Sequence, residues 1–238
     1  MASGTSGKRN GPRSGRPPAG KPAKSKPRQP AAPQPVAPES QPAESFALGA
    51  IPGATPGKWI DIWNERMPRT RLHLVPLSFA EQRDALLKGE VDAALVRHPL
   101  DQDGLHVIAL YDEVTVVIVR ADSHLTAADE LDAADLEGEV LIVPQDDVLH
   151  LEVDGTAAPR FDPPETTADA IATVAAGVGV VIVPMSLARL HHRKDVEYRP
   201  LRDAPSSRVS LAWVADRTTP EVEAFVGIVR GRTANSSR

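Results

Sequence analysis

The feature that most constrains the fold is an alternation of strand-length apolar runs and helix-spaced apolar residues, which starts at Phe46. Residues 46–51 form an apolar run of strand length, and the apolar positions of residues 59–67 follow helical spacing. Further strands are predicted over residues 72–77 and 91–97. Strand, helix, strand, helix, strand is the order of a parallel sheet with crossover helices. The sequence therefore predicts an α/β fold.

Several residues mark where the predicted helices begin and end. Thr55 is a suitable N-cap and Pro56 suits the first helical position. Ser78 and Glu81 have the spacing of a capping box, in which each side chain bonds the backbone amide of the other residue. Gly89 is predicted to end the second helix in a left-handed conformation.

The same alternation continues through the second half of the chain. The run after Val114 is rich in β-branched residues, as is typical of a central strand covered on both faces. Thr126 is predicted to cap a short helix in a polar connection, and Thr166 and Thr219 to cap two later helices. Strands are predicted over residues 105–110, 114–120, 140–143, 180–183, 196–201 and 209–214, and helices over 166–176 and 186–190. Two lobes joined near residues 120–123 explain this pattern, and a single larger sheet remains the alternative.

Residues 1–45 differ from the rest in composition. They hold ten of the 23 prolines, and Val36 is their one apolar residue besides alanine and Met1. Such a stretch buries too little apolar surface to offset its ordering entropy, so a disordered tail is predicted. Because the chain carries −5 and this tail +6, the remainder carries −11. An acidic body is a poor non-specific partner for DNA phosphates.

Other functional classes are disfavoured by what the sequence lacks. The absence of cysteine excludes disulfides, thiolate catalysis and Cys-based zinc sites. No signal peptide or apolar run of membrane-spanning length is recognisable, so we expect a soluble, cytoplasmic protein. The run from Gly53 to Trp59 departs from a P-loop in two ways: it has one residue too few between its glycines, and Trp59 stands in place of the Ser or Thr. We expect no enzyme activity, no cofactor and no metal.

Two segments carry a resemblance to a known family. Residues 84–96 (DALLKGEVDAALV) combine a helix, a glycine turn and a strand that begins with Asp92, and residues 172–184 (ATVAAGVGVVIVP) combine a helix, a glycine turn and a strand. Both resemble the effector-binding domain of LysR-type transcriptional regulators. The resemblance implies a two-lobed fold similar to type 2 periplasmic binding proteins. Lobe 1 would comprise residues 46–120 and 207–232, and lobe 2 residues 121–206. Residues 1–45 do not resemble the winged helix-turn-helix that precedes this domain in the family.

The resemblance also implies a ligand cleft between the lobes. Helix N-termini at Thr55 and Thr166 would offer free amides to a small anion. The pocket positions carried over are Gly53, Ala54, Thr55, Ser78, Arg97, Thr166 and Thr167. Thr55, Ser78 and Thr166 are equally explained as helix caps, and Arg97 as an ion pair between lobes. Trp59 and Trp63 are assigned to the core or to a dimer surface.

Three functions remain open at this point. The first is a ligand-responsive regulatory domain with a small-molecule effector, whose partners would be a second copy or a separate DNA-binding protein. The second is a nucleic-acid-associated or partner-docking protein that uses its basic tail. The basic residues of that tail are Lys8, Arg9, Arg13, Arg16, Lys21, Lys24, Lys26 and Arg28. The third is a solute-binding protein of transport, which the missing signal peptide disfavours.

The run His191-His192-Arg193-Lys194-Asp195 is assigned to solvated surface or a docking patch.

Overall fold

A computed structural model describes residues 45–231 of the chain. Of the predicted tail, residues 1–45, only Ser45 lies within this range, so the eight basic residues between Lys8 and Arg28 lie outside it. The strands are β1 (Ser45–Ala50), β2 (Arg71–Pro76), β3 (Ala93–Arg97), β4 (Leu105–Glu113), β5 (Thr115–Arg120), β6 (Val181–Pro184), β7 (Val196–Pro200) and β8 (Ser207–Val214). The α-helices are α1 (Gly57–Arg66), α2 (Gln82–Lys88), α3 (Thr167–Ala175), α4 (Met185–Leu190) and α5 (Pro220–Val229). The chain folds into two α/β lobes, as predicted.

The first lobe is built on a five-stranded sheet in the order β2-β1-β3-β8-β4. β1 pairs in parallel with β2 and β3, which confirms the predicted crossover pattern for the first three strands. β8 runs antiparallel to both β3 and β4, so the sheet is mixed rather than wholly parallel. Aromatic rings fill its core: the ring centroids of Phe46 and Trp63 lie 4.7 Å apart, and those of Phe46 and Phe225 lie 5.4 Å apart.

The second lobe contains a three-stranded sheet in the order β6-β5-β7. β5 is its central strand and is antiparallel to both neighbours. The assignment of residues 115–120 to the first lobe is therefore wrong. Val116 and Ile118 pack in one apolar cluster of the second lobe, and Val117 and Val119 pack in another. This two-sided burial holds β5 in the second lobe, so the connections between the lobes lie at Val114 and within residues 202–206 rather than near residues 120–123.

Most of the predicted helix ends agree with the structure. Ser78 and Glu81 form both predicted bonds, since the Ser78 amide lies 3.1 Å from Glu81 Oε2 and the Glu81 amide lies 3.3 Å from Ser78 Oγ. These bonds lie in the turn before α2, however, because the N-cap of α2 is Glu81 rather than Ser78. Gly89 ends α2 with φ +73°. Thr166 caps α3 by accepting a hydrogen bond from the Asp169 amide, and Thr219 caps α5 in the same way.

Two other predicted caps are wrong. Thr55 does not cap α1, because the Pro56 carbonyl accepts the first helical hydrogen bonds, from the amides of Trp59 and Ile60 at 2.9 and 3.0 Å. Thr126 does not cap the short helix of the polar connection. It lies inside a 3-10 helix, His124–Ala127, which is capped by Ser123.

The strand predicted over residues 140–143 is also wrong. Val140 and Leu141 form only single bridges, with Ala157 and Val180 respectively. Pro144, which has no amide hydrogen, follows this short run and cannot continue a ladder. Within residues 45–231, no helix has the length and apolar content needed to cross a membrane.

Candidate functional site

A pocket of about 620 Å³ lies between the two lobes, beside their connection. The first lobe contributes the turn after β1, and the second lobe contributes α4. The end of β4 and the connection that follows it form the remaining wall. The lining residues are Gly53, Ala54, Thr55, Tyr111, Asp112, Glu113, Val114, Met185, Ser186, Arg189 and Leu190. Three of the seven predicted pocket residues, Gly53, Ala54 and Thr55, therefore line a pocket formed by both lobes.

The turn after β1 approaches α4 closely. Gly53 has φ +84°, a backbone conformation that side chains other than glycine rarely adopt. A Cβ atom at this position would collide with Ser186 Oγ and lie 2.8 Å from Ser186 Cβ. The lack of a side chain at Gly53 is thus what allows the first lobe to contact Ser186 of the second.

A buried charge network lies next to the pocket and joins the lobes. Arg97, at the end of β3, is 1% exposed, and its Nη1 lies 3.0 Å from Glu113 Oε2. Arg97 Nη1 also donates to Ser207 Oγ, and its Nη2 donates to Ser186 Oγ at 3.2 Å. The Ser186 hydroxyl in turn donates to Glu113 Oε2 at 2.7 Å. Arg97 is thus absent from the pocket lining but bonds two residues that belong to it.

The charges around the pocket leave an excess of positive charge. The Glu113 carboxylate is paired with Arg97, and Asp112 accepts two hydrogen bonds from Arg208, at 2.8 and 3.2 Å. The bond from Arg208 lowers the pKa of Asp112, so this carboxylate is ionised at neutral pH. The Arg189 side chain has no hydrogen-bond or ion-pair partner among residues 45–231. Its guanidinium is therefore the uncompensated charge of the lining.

Tyr111 provides a hydroxyl in the same pocket. Burial raises the pKa of Tyr111, and the nearby Glu113 carboxylate raises it further. The phenol is therefore protonated at neutral pH and can donate a hydrogen bond. Together with Thr55 and Arg189, it gives the pocket donors from both lobes.

The other predicted pocket residues lie elsewhere. Ser78 donates its hydroxyl to Glu81 at 2.6 Å, and Thr166 donates to Asp169 at 2.7 Å. Thr167 is buried and donates to Asp146 Oδ1 at 2.8 Å. Carboxylates of the chain itself thus lie at the N-terminus of α3, where the sequence predicted a bound anion.

Eight of the eleven lining residues could not be predicted from the sequence, among them Tyr111, Glu113, Ser186 and Arg189. Ser186 lies at the start of the helix that was predicted over residues 186–190, but a single serine there signals no binding role. Tyr111 and Arg189 are far apart in the chain and follow no known spacing. Only the pairing of β4 with β8 and of β5 with β6 brings them to one place.

The run from His191 to Asp195 follows α4. His192, Arg193, Lys194 and Asp195 are exposed, and Arg193 donates two hydrogen bonds of 2.8 Å to Asp195. In the part of the chain that the structure describes, no group of three or more His, Asp or Glu side chains is placed to hold a metal ion. Most of the run is thus exposed, as both roles predicted for it require.

Comparisons with known proteins agree with this architecture. The family model of the LysR substrate binding domain matches residues 39–234. The chain is 28% identical over 213 residues to the Hca operon transcriptional activator HcaR of Escherichia coli K12. The matched region covers 82% of this chain and 70% of HcaR. It is 32% identical over 142 residues to the HTH-type transcriptional regulator CatR of Pseudomonas putida, which covers 56% of this chain and 48% of CatR.

A solved structure shows the same fold. The BenM effector binding domain with its effector benzoate matches with a TM-score of 0.64 and 18% identity, over 79% of this chain and 94% of that domain. The family model and the two-lobed fold cover the same part of the sequence. The chain therefore belongs to the LysR substrate binding domain family.

Proposed function

We propose that this chain is the effector-sensing part of a transcriptional regulator and that it binds a small organic anion in the pocket between its lobes. The observation that carries this proposal is the position of Arg189, an uncompensated cation in a pocket walled by both lobes and their connection. The relatives HcaR and CatR are transcriptional regulators, and they are longer than the part matched here. A DNA-binding part would therefore act together with this domain, in the cytoplasm.

The chemistry of the lining favours a carboxylate. A guanidinium binds a carboxylate through two parallel hydrogen bonds, which fix its orientation. The hydroxyls of Thr55 and Tyr111 can bond further polar groups of the ligand, and Met185 and Val114 offer apolar contacts. A volume of about 620 Å³ accommodates a small metabolite. The BenM domain has benzoate as its effector, an example of such an anion in the same fold.

The position of the pocket suggests how binding acts. A ligand held by Thr55 and Arg189 contacts both lobes at once. It stabilises whichever arrangement of the lobes brings these groups closest to it, and so shifts the population of arrangements. This role needs no catalytic group, and we propose none.

A thermal-shift screen of the full chain against small organic carboxylates tests this function. A ligand at about 100 times its Kd adds roughly 2.7 kcal/mol, which raises the melting temperature by about 5 °C. Arg189→Gln should lose most of this shift, because it removes the charged partner. Arg160 is an exposed arginine of the second lobe outside the pocket, so Arg160→Gln should keep it. A shift that survives Arg189→Gln, or is equally lost in Arg160→Gln, would argue against binding in this pocket.

A further inference from the structure

A second pocket, of about 780 Å³, lies in the first lobe along α5. Its lining shares no residue with the pocket between the lobes. Its walls come from the end of α1, from β4 and β8, and from α5. Both its volume and its mixture of apolar and charged groups are typical of small-molecule sites.

An aromatic pair forms part of this wall. The rings of His106 and Trp213 lie 5.4 Å apart at an angle of 50°. The Trp213 indole donates its N–H to Thr218 Oγ1 at 2.9 Å. With this donor already used and the residue only 7% exposed, Trp213 can offer a ligand only apolar contact with the accessible part of its ring, whereas His106 is exposed. Ring stacking and apolar contact are therefore the interactions that this wall favours.

Gly227 keeps the side of α5 open. Glycine destabilises a helix interior relative to alanine, so a glycine there calls for a reason. A Cβ atom at Gly227 would meet no heavy atom within 4 Å. Packing against the lobe therefore does not require glycine here, and the effect of the missing side chain is space in the pocket.

One arginine of the lining, Arg230, is available to an anion. The other charged residues of the lining are Glu223 and Arg66, and Arg66 has an interaction of its own. The Arg230 side chain forms no hydrogen bond or ion pair with any other residue between 45 and 231. Its guanidinium can therefore bind a carboxylate without first breaking another contact.

We infer that this pocket is a second ligand site, for a small aromatic carboxylate. The ring of the ligand packs against Trp213 and His106 in the space above Gly227, and its carboxylate pairs with Arg230. This site is independent of the pocket between the lobes, so the domain can respond to two ligands, or to two copies of one ligand.

Isothermal titration of the full chain with benzoate tests this inference. We expect Gly227→Leu to abolish binding at this site by filling the space, and Arg230→Gln to weaken it at least about tenfold. Arg189→Gln, which alters only the pocket between the lobes, should leave binding at this site unchanged. Cyclohexanecarboxylate and benzamide, which lack the aromatic ring and the charge respectively, should each bind more weakly than benzoate.

A stability control separates loss of the site from loss of the fold. Because a Cβ is accommodated at Gly227, Gly227→Ala should raise the melting temperature by roughly 2 °C. Benzoate binding that is unaffected by Gly227→Leu and Arg230→Gln would overturn the inference, as would the absence of saturable binding at millimolar benzoate. If Arg189→Gln alone abolishes binding, the pocket between the lobes is the only benzoate site and the inference fails while the proposed function stands.

Discussion

Replacing Glu113 by alanine is expected to lower the free energy of unfolding by about 3–5 kcal/mol. The change leaves the guanidinium of Arg97 buried without its carboxylate, and Ser186 without the acceptor for its hydroxyl. Breaking a buried ion pair from one side is costly because the remaining charge has lost its solvent and has no partner. For a folded body of this size the loss corresponds to roughly 10 °C in melting temperature. Urea unfolding measures the difference directly.

A neighbouring ion pair provides the matched control. Asp112 and Arg208 pair at 2.8 Å, but their side chains are 45% and 54% exposed. Asp112→Ala should therefore cost less than about 1 kcal/mol, because water replaces the lost contact. Exchanging both buried partners, in Arg97→Met with Glu113→Leu, should recover much of the stability that Glu113→Ala loses. If Glu113→Ala costs no more than Asp112→Ala, the network does not hold the lobes as described.

Gly179→Ala is expected to destabilise the second lobe by about 3 kcal/mol or more. Gly179 has φ +70°, and its Cβ would collide with the Val140 carbonyl oxygen. That oxygen accepts a hydrogen bond from the Val180 amide at 2.9 Å, so moving it disrupts the contact of residues 140–141 with Val180, the residue before β6. The collision is with backbone, which cannot turn aside as a flexible side chain can.

Gly138 provides the control that separates the cost of the backbone conformation from the cost of the collision. It has φ +80°, but a Cβ there would meet no atom within 4 Å. Gly138→Ala should therefore show only the backbone cost of about 1–2 kcal/mol. Thermal unfolding of both variants gives the comparison. Equal losses would mean that backbone conformation, rather than the approach to Val140, explains the glycine at position 179.

The parts of the fold that could be predicted from the sequence depend on local interactions. The reciprocal bonds of Ser78 and Glu81, the left-handed Gly89 and the cap at Thr166 each involve residues within a few positions of one another. Their geometry follows from residue type and spacing. The boundary between the two lobes could not be predicted in this way. β5 has the apolar pattern of a central strand in either sheet, and only its pairing with β6 and β7 decides between them.

The candidate site shows the same division. Gly53, Ala54 and Thr55 follow a parallel strand, and such turns lie at the ligand-binding edge of a sheet. Arg189 has no such signal, because a single arginine in a short helix is usually surface. The partners of the Arg97 guanidinium lie 16, 89 and 110 positions away in the sequence, so spacing could not distinguish a ligand contact from an ion pair.

The distance between the lobes, measured with and without a bound anion, tests most directly whether the domain senses a ligand. The chain has no cysteine, so spin labels can be attached at Glu90→Cys in the first lobe and Asp154→Cys in the second, both at exposed positions. We expect the anion with the largest thermal shift to move or narrow the distance distribution, and Arg189→Gln to abolish this change. An anion that binds at saturation and leaves the distribution unaltered would contradict the proposal that binding between the lobes is the signal.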